Sequence, residues 1–295
     1  MISARELTKR HGDVLAVDGL SFDVGPGIVT GFLGANGSGK STTLRMVLGL
    51  DRPTSGTVTV DGAALRDHRA PARVVGASLD PRCVHPGRTA RGHLRWMAHA
   101  AGVGRGRVDD LLEQVGIAAA ADRRIGALSL GMRQRLCIAG ALLGDPGTVL
   151  LDEPLNGLDP DGVRWVRTLL RDLAARGRTV FVSSHLMHEM EETAQRVVVI
   201  GRGRLLAHVG VAELRERAGG VRVRPADPGA TPGLARILRD AGATVDADGP
   251  VLEVRGVDAA RVGVLACAHG VALGELTPHT GSLEDSFLAL TREAA

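Results

Sequence analysis

The sequence has few aromatic residues and almost no lysine. Aromatics make up 2% of the 295 residues, tyrosine is absent, and lysine occurs only at Lys9 and Lys40. Proteins that bind nucleic acid usually carry aromatic side chains on which bases stack, together with a concentrated basic surface. Here the net charge is only +3 and the arginines are interspersed with acidic residues. We therefore expect no nucleic-acid partner.

Cysteine and long apolar runs are also scarce. The three cysteines, Cys83, Cys137 and Cys267, lie far apart and have no Cys-x-x-Cys spacing. This pattern indicates neither a disulfide framework nor a zinc site, and it fits a reducing cytoplasm. No apolar run approaches the roughly 18 residues that span a bilayer, and the N-terminus lacks the apolar stretch of a signal peptide. We expect any function at a membrane to depend on a partner protein.

The length and composition favour two folded units. Hydrophobic residues make up 44% and charged residues 23% of the chain, which is ample for a core and argues against disorder. Strand and helix patterns over residues 1–215, with a helical stretch at about 89–143, predict a large α/β domain. Shorter strands and helices predict a small C-terminal α/β domain over residues 216–295.

The strongest motif is a glycine-rich loop between a predicted strand and a predicted helix. It satisfies GxxxxGK[ST] and, with one further threonine, consists of Gly34, Ala35, Asn36, Gly37, Ser38, Gly39, Lys40, Ser41 and Thr42. In this context backbone N–H groups and the helix N-terminus surround phosphate oxygens. We expect Lys40 to reach the β- and γ-phosphates and Ser41 to bind Mg²⁺. By itself the loop indicates only a nucleoside triphosphatase.

Two acidic residues follow a second buried strand, predicted at residues 148–151. Asp152 and Glu153 stand at the carboxyl end of that strand, where parallel sheets bind their ligands. We expect Asp152 to hold the metal shell and Glu153 to polarise the attacking water. The alternative, that the pair only caps a strand, leaves the second acid and Pro154 unexplained.

A second helix start suited to phosphate lies upstream of these acids. Ser129 precedes a predicted helix, and the backbone N–H of Gly131 lies in its first turn. One nucleotide does not require two such helix ends from one chain. The economical interpretation is that Ser129 contacts the γ-phosphate of a nucleotide held by another subunit.

In order and spacing, these motifs resemble the ATP-binding subunits of ABC transporters. The turn Gly157-Leu158-Asp159 and a lone His185 after a strand complete the resemblance, which covers residues 1–215. It implies a P-loop ABC-type ATPase domain with a helical subdomain, using ATP and Mg²⁺. It also implies that two subunits, here a homodimer, sandwich two ATP molecules and act with an integral membrane permease at the cytoplasmic face of the cell membrane.

The resemblance also implies roles for individual residues. Ser129, Gly131 and Met132 would contact the ATP bound by the partner subunit. Asp159 would link the two sites, and His185 would contact the γ-phosphate beside Glu153, the expected catalytic base.

Three motifs depart from the family pattern. His11 stands where an aromatic residue usually stacks on adenine, and imidazole offers less stacking area. In the signature motif, Leu130 and Met132 replace a glycine and a glutamine. Asp80 stands where a glutamine normally contacts the metal and the membrane partner; the alternative is that Asp80 only begins a turn with Pro81.

The C-terminal part resembles, less specifically, the appendage of ATPase subunits from drug- and antibiotic-export systems. The cues are the segment 276–278 and a helix start at Ser282, where Asp285 supports a capping box. The alternative is an ordinary capped amphipathic helix. The resemblance favours export of a drug-like compound over import.

Other classes of protein remain as alternatives. A soluble ABC-type ATPase acting on ribosomes or DNA usually has two cassettes in one chain or long coiled-coil inserts, whereas this chain has one copy of each motif and no sustained heptads. A GTPase or small-molecule kinase would need an Asn-Lys-x-Asp motif or an acceptor lid, and neither is visible.

Overall fold

The computed structural model describes residues 1–80, 84–104 and 106–293. These residues divide into two compact units, Met1–Val209 and Gly210–Glu293. Pro81 and Cys83 lie outside the described residues, so the possible turn at Pro81 and the state of Cys83 stay predictions. No described helix combines the length and apolar character that crossing a membrane requires.

The first unit is built on the strands of two β-sheets. Within the described ranges they are β1 (Ile2–His11), β2 (Val14–Val24), β3 (Val29–Leu33), β4 (Ser55–Val60), β5 (Val75–Ser78), β6 (Thr148–Asp152), β7 (Thr179–Ser184), β8 (Arg196–Gly201) and β9 (Arg204–Gly210). Strands β2, β1 and β4 form an antiparallel sheet, and the other six form a second sheet in the order β5-β6-β7-β3-β8-β9.

The larger sheet brings the predicted motifs to one edge. Strands β5, β6, β7, β3 and β8 run parallel, with Leu33 opposite Ser184 and Asp152 opposite Ser183. All residues of β3 and β7 are buried, as expected for strands covered on both faces. Because parallel strands end at the same edge, the segments after β3, β6 and β7 lie next to one another.

The first unit also contains helices, three of which lie within the predicted helical stretch at about 89–143. The helices of this unit are α1 (Lys40–Val47), α2 (Pro71–Val74), α3 (Ala90–Ala100), α4 (Gly106–Gln114), α5 (Leu130–Leu142), α6 (Pro160–Ala175) and α7 (Met187–Thr193). On α5, Leu136, Ala139 and the polar Gln134 are buried, whereas Met132 is only half-buried. Helix α1 packs against strands of both sheets, because its Leu44 and Val47 share one hydrophobic core with Phe22 of β2 and Phe32 of β3.

The second unit has the βαββαβ order of a split βαβ fold. Its elements are α8 (Val211–Ala218), β10 (Gly220–Pro225), α9 (Thr231–Asp240), β11 (Thr244–Asp248), β12 (Val251–Arg255), α10 (Ala259–Ala268), β13 (Leu273–His279) and α11 (Leu283–Glu293). The antiparallel sheet has the order β11-β12-β10-β13. Its alternate residues Val221, Val223, Leu252 and Val254 pack on α9 and α10.

The predicted boundary at residue 215 falls inside α8. This helix packs on α11, and the buried Ser286 hydroxyl donates to the Leu214 carbonyl at 2.9 Å. The capping box at the start of α11 is confirmed. Asp285 N donates to Ser282 Oγ at 3.0 Å, and Ser282 N donates to Asp285 Oδ2 at 3.1 Å.

Candidate functional site

The glycine-rich loop ends in a helix N-terminus that has no side-chain cap. Helix α1 follows Gly39, which has φ 104° and ψ 3°. A Cβ at Gly39 would lie 2.5 Å from the Ala16 carbonyl oxygen, so both the backbone angle and the space require glycine. With no hydroxyl or carboxylate capping it, the first turn of α1 leaves backbone donors available for an anion.

Lys40 is held inside this loop. Its side chain is 7% exposed, and Nζ donates to the carbonyl oxygens of Gly34 at 2.6 Å and Ala35 at 3.3 Å. Burial lowers the pKa of the Lys40 ammonium below its usual value, while the nearby carboxylates of Glu153 and Asp152 oppose that shift. A buried ammonium held by neutral carbonyls is well placed to exchange them for phosphate oxygens.

Asp152 ends β6 and faces the P-loop. Its Oδ2 accepts a hydrogen bond from Ser41 Oγ at 3.0 Å, and its Oδ1 accepts one from Ser183 Oγ. Burial raises the pKa of Asp152 above its usual value, although both hydroxyl hydrogen bonds favour the carboxylate. Ser41 and Asp152, predicted to share a metal, are therefore in direct contact.

Glu153 has an unusual backbone and a defined set of partners. Its φ is 50°, in the left-handed region that non-glycine residues seldom occupy, which is a form of strain found at functional sites. Its N–H donates to Ser183 Oγ at 3.0 Å, and its Oε2 lies 2.9 Å from His185 Nδ1. The carboxylate is thereby turned toward His185, which follows the neighbouring strand β7.

Some of the predicted residues line one or both of two cavities. A cavity of about 260 Å³ is lined by Asn36, Gly37, Gly39, Lys40, Ser41, Thr42, Asp152, Glu153 and Ala16. A larger one, about 940 Å³, shares Ser41, Asp152 and Glu153 and also includes Asp80. His11, exposed at the end of β1 opposite Val14, is absent from the described lining of either cavity. Its role with adenine stays a prediction.

The signature residues lie at the other predicted helix start. Ser129 is the N-cap of α5, and its Oγ accepts a hydrogen bond from Met132 N at 3.2 Å. Asp159 caps α6 in the same way, accepting from Gly162 N at 2.8 Å. Within the described chain, neither Ser129, Gly131 nor Met132 lines the two cavities that contain Asp152 and Glu153.

Comparison with known proteins decides the family. Residues 17–156 match the family model described as ABC transporter. The bacitracin transport ATP-binding protein BcrA of Bacillus licheniformis is 39% identical over 220 residues, which cover 74% of this chain and 72% of that protein. The chain belongs to the ABC transporter ATP-binding proteins. It is an ATPase subunit whose ATP hydrolysis drives transmembrane transport.

Two further matches agree with this family, and a separate match covers part of the second unit. The Nod factor export ATP-binding protein I of Burkholderia orbicola (strain AU 1054) is 41% identical over 211 residues, covering 70% of this chain and 69% of that protein. The dimeric structure of MJ0796, a bacterial ABC transporter cassette, superposes with a TM-score of 0.66 at 25% identity, covering 72% of this chain and 99% of the cassette. Residues 219–284 match a family model described as a domain of unknown function, DUF8746.

Two residues of this ABC ATPase were missed by sequence reasoning. Ser183 is fully buried and bonds to both acids, donating to Asp152 and accepting from the Glu153 N–H. Its position two residues before His185 is the only sequence signal. Gln134 is 1% exposed, lines the larger cavity and has an Nε2 without a partner among the described residues. No pattern on α5 distinguishes it from a solvated glutamine.

Proposed function

We propose that this ABC ATPase energises the export of a drug-like or antibiotic compound through a separate membrane permease, at the cytoplasmic face of the cell membrane. The observation that carries the catalytic part of the proposal is the 2.9 Å hydrogen bond between His185 Nδ1 and Oε2 of Glu153, a residue that lines the P-loop cavity. The export direction is supported by the relatives, which are named for bacitracin transport and Nod factor export.

The residues around Ser41 fit Mg²⁺. Ser41 Oγ and the Asp152 carboxylate offer oxygen ligands, which are the donors that Mg²⁺ prefers, and they lie within 3.0 Å of each other. Such sites usually hold the ion through one or two protein oxygens together with substrate phosphates. When bound, Mg²⁺ supplies charge neutralisation for the phosphates. Asp80, which lines the adjoining cavity, is proposed as a further oxygen ligand in that region.

The side chains of this chain would divide the chemistry of hydrolysis. Lys40 would exchange its two loop carbonyls for β- and γ-phosphate oxygens and stabilise their negative charge. Glu153 would accept a proton from the attacking water, and His185 would hold the Glu153 carboxylate in position and contact the γ-phosphate. Ser183 would keep both acids in place through its paired hydrogen bonds.

The second phosphate-binding helix end supports a composite site made by two copies of the chain. Ser129 Oγ uses a lone pair to accept from Met132 N, so its hydroxyl hydrogen is not needed by the cap. That hydrogen would be donated to the γ-phosphate of the partner's ATP, with the backbone N–H of Gly131 and the adjoining Met132 beside it. Asp159, at the start of α6, is proposed as the link between the two sites.

Replacing Glu153 with glutamine tests the catalytic assignment. The amide keeps the shape of the side chain but cannot accept the proton, so ATPase activity should fall by about 10²-fold or more while ATP binding persists. A dimer holding ATP should accumulate and be visible by size-exclusion chromatography with light scattering. Glu113→Gln, on the exposed face of α4, is the matched control. Normal turnover in Glu153→Gln would reject this base.

Export is tested in cells that express the chain together with the membrane protein encoded by the adjacent gene. Wild-type pairs should raise the minimum inhibitory concentration of at least one compound in a panel of peptide and polyketide antibiotics. Pairs carrying Glu153→Gln should not. Lower intracellular accumulation of that compound would support export, whereas ATP-dependent accumulation would indicate import.

A further inference from the structure

Leu130 occupies an unexpected position at the start of α5. It directly follows Ser129, the residue proposed to contact the partner's ATP, and its side chain is 41% exposed. A leucine exposed to this degree contributes little to the core, since the hydrophobic gain follows the area removed from water. Its contacts are therefore more informative than its burial.

The Leu130 side chain packs directly on the backbone of Gly157. A Cβ placed at Gly157 would overlap Leu130 Cδ2 and would lie 3.3 Å from Leu130 Cγ. Gly157 also has φ 72°, in the left-handed region that favours glycine. The contact thus joins the first residue of α5 to the turn that follows Glu153.

The next residue of each segment makes the reciprocal contact. A Cβ at Gly131 would meet Leu158 Cδ2 at 3.4 Å, an ordinary van der Waals distance. Each segment therefore places a leucine against the glycine of the other. We call these four residues, Leu130, Gly131, Gly157 and Leu158, the leucine–glycine clasp.

The clasp lies between elements assigned to different nucleotides. On one side, Ser129 precedes Leu130. On the other, Asn156 Nδ2 lies 3.4 Å from Glu153 Oε2, and Asp159 caps α6 immediately after Leu158. The clasp therefore connects the segment proposed to contact the partner's ATP to the segment that carries the base for this chain's own ATP.

A second contact keeps the two helices together farther along. The Arg135 guanidinium of α5 lies 4.5 Å from the centre of the Trp165 ring of α6, a cation–π geometry. Contact at two levels restricts rotation of α5 against α6. A displacement of Ser129 should then reach Gly157 instead of being absorbed between the helices.

We propose that Leu130 is a positioning residue that transmits occupancy of the partner's ATP site to Glu153 through the clasp. This inference rests on the proposed function, because it assumes that Ser129 acts on the partner's nucleotide. The effect is on turnover. Contact of Ser129 with the γ-phosphate fixes the position of Gly157 and Leu158. Through the neighbouring Asn156, this position fixes the orientation of the Glu153 carboxylate.

The test compares Leu130→Ala with Leu130→Met in the full-length chain. The alanine variant should keep its ATP affinity, measured by equilibrium binding of ATP in a Glu153→Gln background. It should lose about 10-fold in kcat in the catalytically intact background, because small misplacements of catalytic groups have effects of this order or larger. Methionine, which can still reach Gly157, should restore most of the activity.

Three further variants separate coupling from packing. Leu158→Ala should reproduce the loss of kcat, and the Leu130→Ala/Leu158→Ala double variant should lose no more than either alone, since residues acting as a unit are not additive. Leu205→Ala, at an exposed leucine of β9, should leave kcat and the melting temperature unchanged.

The possible outcomes are distinct. Wild-type kcat in Leu130→Ala, or a loss that only follows a lowered melting temperature, would overturn the clasp as a coupling device. Additive losses in the double variant would also overturn it. If Glu153→Gln alone failed to accumulate an ATP-bound dimer, the proposed function would fail, independently of the result at Leu130.

Discussion

The N-termini of α1 and α5 are both suited to phosphate, but they are finished in different ways. Helix α1 begins after Gly39 with no side-chain cap, whereas the first turn of α5 is capped by the Ser129 hydroxyl. An uncapped end offers its own backbone N–H groups to an anion. A capped end instead presents a fixed hydroxyl that retains a hydrogen to donate. The difference favours α1 as the helix that binds this chain's own nucleotide, and α5 as the helix that contacts the partner subunit's nucleotide once the two subunits pair.

The largest expected effect comes from removing the charge at the uncapped end. Lys40→Ala deletes a buried ammonium that has no other basic side chain to replace it inside the loop, and ATPase activity should fall by about 10²-fold or more. ATP binding, measured by isothermal titration calorimetry, should weaken as well.

The chain supplies a matched control for this variant in its other lysine. Lys9 donates to the Arg52 carbonyl at 2.7 Å, on the surface of β1. Lys9→Ala should therefore keep full activity. Equal activity in Lys40→Ala and Lys9→Ala would remove the basis for treating α1 as the nucleotide-binding end.

A smaller effect is expected at the capped end. Ser129→Ala removes a cap worth about 1 kcal/mol and also removes the hydroxyl proposed to contact ATP. Turnover should drop by about 10-fold, since one hydrogen bond to a developing charge is lost. Ser129→Thr keeps a hydroxyl and should retain most of the activity.

A second capping residue, Thr89, allows the effect of losing a helix cap to be measured apart from any effect on ATP. It caps α3 as Ser129 caps α5, accepting from Gly92 N at 3.0 Å. Thr89→Ala should lower thermal stability by a similar amount, measured by calorimetry, while leaving ATPase activity intact. A loss of activity in Thr89→Ala that equals the loss in Ser129→Ala would show that capping alone explains the role of Ser129.

The smallest effect is expected at the far end of α1. Arg45, in its last turn, donates to both carboxylate oxygens of Asp51, at 2.8 and 3.2 Å. This pairing lowers the pKa of Asp51 below its usual value. A carboxyl group whose pKa is lowered by folding stabilises the protein at pH values above its unfolded-state pKa of about 4. This contribution is lost as the pH falls through the lower pKa of the folded state.

Asp51→Asn tests that linkage. The variant should melt slightly below the wild type at pH 7, and the gap should close in acid, below about pH 4. Melting curves recorded from pH 7 to pH 3 would measure this. A gap that stayed constant with pH would show that the charge of Asp51 contributes nothing to the stability of this region.

The sequence predicted the uncapped end far better than its surroundings. The P-loop, Asp152 and Glu153 were located because strand, glycine loop and buried carboxylates leave local signals. Ser183 left none, because its importance depends on β7 lying beside β6. Strand β13 has a weak sequence pattern, since it contains Gly274 and Pro278 and, among the described strands, pairs on only one side, with β10. The boundary at residue 215 was placed inside α8 because this helix is packed against α11, about 70 residues farther along the chain, and a local pattern does not reveal such a contact.

The composite site is tested most directly by mixing two inactive subunits. A Lys40→Ala subunit and a Ser129→Arg subunit in one dimer should place both lesions in the same site, leaving the other site intact. The mixed dimer, isolated with two different affinity tags, should therefore regain ATPase activity that neither homodimer shows. No activity in verified mixed dimers would contradict the proposal that Ser129 acts on the partner's ATP.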